Sequence, residues 1–394
     1  MIPTDADLNA ARELRRLLHR TPELSGVEVN TAARIAAEMT CLGADRVETG
    51  IGGHGLLAFF EGAETGPLVV LRAELDALPI IERSGVAHAS EVAGQGHLCG
   101  HDGHMAILFC VARVLARARP RRGSVALLFQ PAEETGAGAR AMLRDPRIGN
   151  LRPTRIFALH NLPGLPLGYA ALAEGPIACA SRGMRLTLQG RTAHASQPET
   201  GLSPRTALSR LLGALDTLNA GLPLEDPEFA MATVTHCRMG APAFGVAPGE
   251  AEIWTTLRTL RDDAMARLCA RAEEMAQQTA HSHGLALEVA YDDVFNATEN
   301  HPDAVATLRA ALDEANIPHG PAGQPWRPSE DFGAFAALGP SAMLFFGSGE
   351  NHPALHDHAY DFPDMLIAPG AQLFLAAIER ALSSPPGIRQ RSKL

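Results

Sequence analysis

Residues 96–104 bring together several side chains that bind metal ions. The segment reads Gly-His-Leu-Cys-Gly-His-Asp-Gly-His, with a thiol, three imidazoles and a carboxylate close together. Cys99 and His101 are two positions apart, so both can face one point from an extended or turning backbone. Zinc and its neighbours in the first transition row favour thiolate and imidazole ligands. The segment therefore predicts part of a metal site, and other parts of the chain must supply the remaining ligands.

Further candidate ligands follow three apolar runs that predict buried strands. These runs are followed, in chain order, by Glu133 and Glu134, by His160, and by the group His352, His356 and His358. Adjacent carboxylates repel each other and stabilise a fold poorly, but one can bind a cation while the other acts as a base. Open α/β sheets place their sites at the carboxyl ends of strands. The candidate ligands are therefore predicted to lie at that edge of a sheet.

Six motifs occur in a defined order along the chain. They are HLCGHDGHM, FQPAEETGAGA, ALHNLPGLPLG, GRTAHASQP, SEDF and NHPALHDHAYDF. Together they resemble the metal-dependent amidohydrolases, a family that includes hippurate hydrolases, auxin-conjugate hydrolases and N-acetyldiaminopimelate deacetylases. These enzymes are relatives of the aminoacylases and the carboxypeptidase G-type enzymes. The resemblance extends from about residue 10 to about residue 380, and the combination of six ordered motifs is far more specific than any one of them.

The resemblance implies a role for particular residues of this chain. The ligand positions for two divalent ions (manganese, zinc, cobalt or nickel) match Cys99, His101, Glu134, His160 and His356. Glu133 matches the general base, and Asp76 matches an aspartate that orients a ligand imidazole. His194 matches the residue that binds the substrate and stabilises the oxyanion. In relatives this histidine can come from a partner subunit, which implies a homodimer.

Length and the order of elements predict two domains. A chain of 394 residues is long for a single core. Residues 183–294 show the order strand-helix-strand-strand-helix-strand, with a long helix from Asp262 to about His281, as in a ferredoxin-like α/β sandwich. Residues 1–182 and 295–394 are predicted to form one α/β catalytic domain, an open mixed sheet with helices on both faces. The inserted segment is then a lid and dimerisation domain.

Composition excludes several classes of partner. The net charge of −10 and the absence of a basic run argue against nucleic acid. No apolar stretch of the ~20 residues needed to span a membrane is evident. The beginning of the chain lacks a secretory pattern, and six scattered cysteines form no disulfide framework. Ser392-Lys393-Leu394 matches a peroxisomal signal, but the composition favours a bacterial protein, so a cytoplasmic location is predicted.

Other polar residues near the motifs are expected to have structural roles. His97 and His104 flank the ligand pair and are expected to shape its loop, and Asp102 is expected to cap the following helix. Several other histidines are expected to lie at the surface or as satisfied core residues. They are His19, His54, His88, His236, His281, His283 and His319.

Three departures from the family pattern, and one residue that remains, affect the predicted substrate. Gly245 replaces an asparagine that helps to hold the substrate's carboxylate, which should weaken selection for a free carboxylate or make room for a bulkier group. Arg258 remains a candidate contact for an anion. Glu74 stands where an aspartate is common, and residues 326–328 (Trp-Arg-Pro) replace small residues. Because every proposed ligand and the base are present, these features indicate a specialised member of the family.

The predicted function is the metal-dependent hydrolysis of an amide bond in an N-acyl amino acid or a related small amide. A dipeptidase or carboxypeptidase of the same family is one alternative, and it would need a pocket for a free amine or carboxylate. A second alternative is a protein that binds a small molecule at the metal site without hydrolysing it. The presence of Glu133 argues against this alternative, because a binding protein does not need a base.

Overall fold

The structure is a computed structural model that describes residues 1–383. It divides into two compact units. The first consists of Met1–Ile177, Glu299–Gln324 and the described chain from Asp331 onward, and the second of Ala178–Thr298 and Pro325–Glu330. The short second stretch belongs to the second unit because the Cys179 N–H donates to the carbonyl oxygen of Trp326 at 3.2 Å. The tripeptide 392–394 lies outside the described residues.

The α-helices of residues 1–383 are numbered in chain order. They are α1 (Asp5–Arg20), α2 (Val29–Cys41), α3 (His101–Arg117), α4 (Gly138–Arg144), α5 (Pro146–Gly149), α6 (Arg205–Asp216), α7 (Asp262–Ser282), α8 (Pro302–Glu314) and α9 (Ile367–Ser383). α1 begins with a capping box in which Thr4 and Asp7 bond to each other's backbone N–H. Short 3₁₀ helices cover Pro198–Thr200, Asp331–Ala337 and Asp364–Leu366.

The strands are also numbered in chain order. They are β1 (Arg46–Ile51), β2 (Gly55–Glu61), β3 (Glu64–Glu74), β4 (Arg122–Gln130), β5 (Arg155–Pro163), β6 (Ala170–Ala171), β7 (Gly175–Ala178), β8 (Ala180–Gln189), β9 (Ala193–His194), β10 (Ala230–Met239), β11 (Val246–Ala247), β12 (Glu250–Thr259), β13 (Ala286–Phe295), β14 (Thr298–Asn300), β15 (His319–Gly320) and β16 (Ser341–Gly349).

A mixed sheet of eight strands forms the centre of the first unit. The strand order is β1-β2-β4-β3-β5-β16-β6-β15. β3 pairs in parallel with β4 and β5, and β5 pairs in parallel with β16, whereas β1, β2 and β4 pair antiparallel. Because parallel neighbours end at the same edge, the residues that follow β3, β4, β5 and β16 lie along one edge. The predicted α/β class with an open mixed sheet is confirmed.

Both faces of this sheet are buried. Side chains on one face form one apolar cluster with α1, α2, α3, α8 and α9. Leu57, Val70 and Leu128 alternate with residues of that cluster and are also buried, so their side chains lie on the other face. α4 and the 3₁₀ segment that begins at Asp331 pack on the unit there. Helical cover on two faces agrees with the predicted architecture.

The segment Asp364–Ser383 corrects one expectation. By length and composition alone it could cross a membrane, with a mean hydropathy of 1.4, although no such stretch was expected from the sequence. In the structure 67% of its apolar window is buried. Leu373, Leu375 and Ile378 pack in the same cluster as α3. The apolar composition of α9 therefore reflects its place in the core of the first unit.

The second unit contains a four-stranded antiparallel sheet covered by two helices. Its strand order is β10-β12-β8-β13. α6 and α7 pack on one face, where Leu186, Leu211, Ile253, Leu268 and Ala272 belong to one buried cluster. In order along the chain, the elements are β8, α6, β10, β12, α7 and β13, which is the predicted ferredoxin-like arrangement. The roles of this unit as lid and dimerisation domain remain predictions.

Candidate metal centre

A glycine turn places Cys99 and His101 at the amino end of α3. Gly100, which separates them, has a left-handed backbone with a φ of 95°. A Cβ atom at this position would lie 2.1 Å from Oδ1 of Asn161, so a larger residue does not fit. Cys99 and His101 are both buried. The spacing seen in the sequence therefore corresponds to a turn that only glycine can make here.

His160 lies near the carboxyl end of β5, close to Cys99. Its Nδ1 donates to the backbone carbonyl of Asn161 at 2.7 Å, and its Nε2 is 3.5 Å from Sγ of Cys99. A carbonyl oxygen can only accept, so the proton of the neutral ring lies on Nδ1. Nε2 is then the nitrogen whose lone pair can bind a cation, and the backbone bond holds the ring in that orientation.

His101 is oriented by Asp76. Its Nδ1 donates to the backbone carbonyl of Asp76 at 2.9 Å and lies 3.4 Å from the carboxylate oxygen Oδ1. The other oxygen of Asp76 accepts from the Ser25 hydroxyl at 2.6 Å and from the Glu134 backbone N–H at 3.0 Å. Nε2 of His101 lies 3.8 Å from a carboxylate oxygen of Glu133 and 3.8 Å from one of Glu134. Asp76 thus directs the free nitrogen of His101 towards the acidic pair.

Glu133 and Glu134 follow β4 in a tight turn. The turn begins at Ala132, which has a left-handed backbone with a φ of 49°. The backbone N–H of Gly136 donates to the Glu133 carbonyl at 2.7 Å, and that of Gly138 donates to the Ala132 carbonyl at 3.0 Å. Glu133 is buried and Glu134 is half-buried. Neighbouring carboxylates therefore have different surroundings, as two separate roles require.

We expect Gly138→Ala to destabilise the first unit by about 1–3 kcal/mol, the usual size of an overpacking effect. A Cβ atom at Gly138 would lie 1.6 Å from the backbone oxygen of Pro131, which cannot move aside as a side chain can. Gly213→Ala in α6 is the matched control, because within residues 1–383 no atom beyond its own helix backbone and chain neighbours lies within 4 Å of its Cβ position and alanine favours the helix. Urea denaturation followed by far-UV circular dichroism measures both. Equal stability of the two variants would contradict the expected clash.

His356 reaches the same place from a distant part of the chain. Its backbone is left-handed, with a φ of 68°, and its N–H donates to the Leu98 carbonyl at 2.8 Å. Its Nε2 lies 3.5 Å from Oε2 of Glu134. His352, by contrast, donates from Nε2 to the backbone carbonyl of Asp361 at 2.8 Å. The structure therefore brings His356 to the other candidate ligands.

The candidate ligands form two overlapping groups of three. The ligand atoms of Cys99, His101 and His160 lie within 4.8 Å of one another, and so do those of Cys99, Glu134 and His356. Cys99 belongs to both groups, and a coordinated thiol loses its proton, which suits a ligand shared by two cations. Among the residues that the structure describes, the buried Nε2 of His101 finds no hydrogen-bond partner. This donor set fits a pair of divalent transition-metal ions.

The protonation equilibria at the centre reflect its negative charge. Burial alone would lower the pKa of His101, but the hydrogen bond and charge of Asp76 and the charge of Glu134 raise it to about 9. Burial alone would raise the pKa of Asp76, but hydrogen bonds from His101, Ser25 and the Glu134 backbone give a net lowering. The carboxylates therefore favour a cation at this place, whether a proton or a metal ion.

We expect Asp76→Asn to weaken metal binding by about 10- to 100-fold, which is typical when a residue that orients a metal ligand is changed. The amide lacks the negative charge that favours His101 as a ligand. Ser25→Ala is the matched control, because it removes one hydrogen bond from Asp76 and leaves the carboxylate in place. Calorimetric titration with Mn²⁺ gives the affinity. Unchanged affinity in Asp76→Asn would show that Asp76 does not act on the ligand.

A series of buried polar side chains adjoins the candidate ligands. Nδ1 of His104 is 2.7 Å from the Glu74 carboxylate, and Nε2 is 2.6 Å from Oδ1 of Asn161. Glu74 pairs with Arg72, which donates from Nη2 to Asp331 at 2.8 Å. His104 follows His101 by one helical turn, and Asn161 follows His160. These partners were not predicted, although Arg72, a charged residue inside the apolar run of β3, was a visible signal.

Asp102 does not have the predicted role as a helix cap. The cap residue of α3 is Gly100, which makes no side-chain cap hydrogen bond. Asp102 lies within the first turn and is fully buried. Its carboxylate accepts from Arg15 and His19 of α1. The prediction was wrong because the helix begins at His101, two residues earlier than a cap at Asp102 requires.

The remaining predicted site residues belong to the second unit. His194 lies on β9 opposite Val246 of β11, and its Nδ1 accepts from the Ser196 backbone N–H at 3.1 Å. Apart from its chain neighbours, no atom of the described chain lies within 4 Å of a Cβ placed on Gly245, so space does not require glycine there. Arg258 donates to the Ser329 hydroxyl at 2.9 Å, and burial lowers its pKa. The substrate-binding roles of His194, Gly245 and Arg258 remain predictions.

Known proteins with similar sequences support one family. Residues 70–380 match the family described as Peptidase family M20/M25/M40. The N-acetyl-L-cysteine deacetylase of Bacillus subtilis is 30% identical over 373 residues, which cover 94% of this chain and 88% of the relative. The hippurate hydrolase of Campylobacter jejuni is 28% identical over 379 residues, which cover 95% and 97%. The match to the family covers well over half of the chain.

A solved structure leads to the same family. The Bacillus subtilis protein described as a dinuclear metal binding peptidase from M20 family has a TM-score of 0.80 and 25% sequence identity. The alignment covers 96% of this chain and 99% of that structure. The resemblance expected from the six motifs is confirmed. The chain belongs to peptidase family M20/M25/M40 and is a metal-dependent amidohydrolase of that family.

Proposed function

We propose that this enzyme hydrolyses the amide bond of an N-acyl amino acid or a related small amide. The observation that carries the proposal is the pair of overlapping ligand groups that share Cys99, with Glu133 3.8 Å from His101. Two relatives support the choice of substrate class, since one is named for N-acetyl-L-cysteine and the other for hippurate.

Five side chains would hold two divalent cations. They are Cys99, His101, Glu134, His160 and His356. Manganese, zinc, cobalt and nickel all accept this mixture of thiolate, imidazole and carboxylate, and metal availability often decides between them. When bound, the ions would lower the pKa of a water molecule and polarise the carbonyl of the scissile amide.

Glu133 is proposed as the general base. Its buried carboxylate lies beside the ring of His101. There it would take a proton from the attacking water and return it to the amide nitrogen as the C–N bond breaks. The products are then a carboxylate and an amine. Asp76 is proposed to hold the His101 ring in place through its Nδ1.

His194 is proposed to stabilise the oxyanion, as the family resemblance implies. Its Nδ1 accepts a hydrogen bond from the Ser196 backbone, so the proton of the neutral ring lies on Nε2. An N–H at that position can donate to a developing negative charge on oxygen. The position of the proton on the His194 ring therefore suits the proposed role.

The proposed substrate does not need a free carboxylate. Gly245 offers no side-chain donor, and the guanidinium of Arg258 is already hydrogen-bonded to Ser329. Peptide cleavage is the second candidate, because the thermostable carboxypeptidase 1 of Saccharolobus solfataricus is 28% identical over 341 residues. A carboxypeptidase would require a free carboxylate at the end of its substrate, so the two candidates predict different substrate preferences.

The proposed function is tested with purified protein loaded with Mn²⁺ or Zn²⁺. The substrates are N-acetyl and N-benzoyl amino acids, their esters and amides, and dipeptides, and the readout is amine release. We expect cleavage of N-acyl amino acids, its loss on addition of a chelator, and activity on the corresponding amides. Preference for dipeptides would favour the second candidate. No cleavage by protein with metal bound would contradict the proposal and favour a binding role.

We also propose a cytoplasmic homodimer that associates through residues 183–294. This proposal follows from the family resemblance and from the sequence composition. Size-exclusion chromatography with light scattering should give a mass of twice 41.7 kDa. A variant without residues 183–294 that keeps the dimer mass would contradict the assigned interface.

A further inference from the structure

Two cationic side chains of α1 meet one carboxylate at the start of α3. Arg15 and His19 are four residues apart and therefore lie on the same face of α1. Nδ1 of His19 donates to Oδ2 of Asp102 at 2.8 Å, and Nη1 of Arg15 donates to the same oxygen at 3.2 Å. All three side chains are fully buried. Asp102 directly follows His101, a proposed metal ligand.

His19 is held from both sides of its ring. Its Nε2 donates to the Glu82 carboxylate at 3.1 Å, while Nδ1 donates to Asp102. A ring that donates from both nitrogens is protonated and carries a positive charge. Burial alone would lower the pKa of His19, but the charge of Asp102 and the hydrogen bonds to Asp102 and Glu82 raise it to about 10. His19 is therefore a buried cation at neutral pH.

Arg15 also contacts the segment that follows His356. Its Nη1 donates to Oδ1 of Asp361 at 2.6 Å. His101 precedes Asp102 by one residue, and His356 precedes Asp361 by five. One guanidinium therefore connects two stretches of chain that each supply a proposed ligand. Nη1 makes both contacts, and Nε lies 2.6 Å from Oδ1 of Asp364, so the planar guanidinium is fixed in an orientation that a lysine ammonium lacks.

Burying these charges is not the packing of α1 on α3 that gives the most favourable free energy of folding. Well-packed apolar residues in place of a buried ion pair are often neutral or stabilising. Stability alone therefore does not explain the arrangement. We propose that His19 and Arg15 are positioning residues, which hold Asp102 and thereby orient His101 at the metal centre. This inference rests on the proposed metal-dependent function.

Two substitutions separate the two hydrogen bonds of His19. An asparagine N–H lies near the position of Nδ1 and can keep the bond to Asp102, whereas a glutamine N–H lies near Nε2 and can keep the bond to Glu82. We expect His19→Gln to weaken Co²⁺ binding by about 10- to 100-fold, as for other residues that orient metal ligands. The visible spectrum of bound Co²⁺ should also change. His19→Asn should stay close to the wild-type protein in both measurements.

Thermal unfolding of the metal-free proteins is measured as well, so that a loss of stability can be separated from an effect at the metal centre. A loss of stability alone does not alter the spectrum of bound Co²⁺. Wild-type affinity and spectrum in His19→Gln would overturn the proposal. Equal losses in both variants would overturn it as well, since the bond to Asp102 would then not be the decisive one. If His19→Gln does not fold, Arg15→Lys replaces it. The same weakening of Co²⁺ binding is expected there, and unchanged binding overturns the proposal.

The same titrations distinguish this proposal from the proposed function. A wild-type protein that binds Co²⁺ but hydrolyses no amide would contradict the function, while the comparison of His19→Gln with His19→Asn still tests the positioning role. A wild-type protein that binds no Co²⁺ would overturn both.

Discussion

Replacing Glu133 with glutamine should lower kcat by about 10²- to 10⁴-fold, the usual contribution of a general base. Glutamine has nearly the same size but cannot accept a proton from water. Glu133 is not one of the five proposed ligands, so the variant should keep its metal ions. The measurements are kcat on a substrate identified with the panel and metal content by elemental analysis. Full activity of the variant would contradict the assigned base.

Glu134→Gln is the matched control for this experiment. The substitution is chemically identical and lies one residue away, but it changes a proposed ligand that faces His356 at 3.5 Å. We expect this variant to lose metal as well as activity. Loss of metal in both variants would show that the two carboxylates do not divide the roles of base and ligand. A protein that only binds its small molecule would be indifferent to Glu133→Gln.

Asp331→Ala should lower the free energy of unfolding by about 3–5 kcal/mol, the usual effect of removing one partner of a buried ion pair. Asp331 accepts from Arg72 at 2.8 Å, from the Gln130 side chain at 2.7 and 2.8 Å, and from the Ala139 N–H at 2.9 Å. The substitution removes these acceptors while the fully buried guanidinium stays charged. Urea denaturation followed by far-UV circular dichroism provides the measurement.

Asp263→Ala is the control for the charge itself. Asp263 is exposed and pairs with Arg267 one turn along α7, and such surface pairs contribute about 0–1 kcal/mol. We therefore expect a much smaller loss than for Asp331→Ala. A loss below about 1 kcal/mol in Asp331→Ala would contradict the expectation and mean that the remaining partners of Arg72, among them Glu74, suffice to compensate its charge.

Local spacing indicated Cys99, His101, Glu134 and His160 as candidate ligands, whereas the choice of His356 among three nearby histidines came from the family resemblance. Cys99 and His101 are separated by a glycine turn. Glu134 lies shortly after β4 and His160 near the carboxyl end of β5, and both strands pair in parallel with β3, which brings these ends to one edge. Periodicity was equally informative for long helices, since α7 was predicted to begin at Asp262 and does so. Where side-chain spacing and strand direction decide the geometry, the sequence alone is sufficient.

The buried charge pairs could not be predicted because their partners are remote. Arg15 lies 87 residues from Asp102, and Arg72 lies 259 residues from Asp331. Nothing in the helical spacing of α1 distinguishes a buried arginine from a solvated one. The assignment of residues 325–330 to the second unit was missed for the same reason. These residues contact a remote part of the chain, since the Cys179 N–H donates to the carbonyl oxygens of Trp326 and Pro328.

The wide separation of the ligands has a consequence for biosynthesis. His356 follows His101 by 255 residues, and ribosomes add roughly 5–20 residues per second. His101 is therefore synthesised roughly 10–50 s before His356, the last proposed ligand along the chain. The second unit, largely continuous from 178 to 298, emerges completely during that interval and can fold first. Both groups of proposed ligands are complete only after His356 has been synthesised, so the supply of ions around the chain from that stage onward can decide which metal binds.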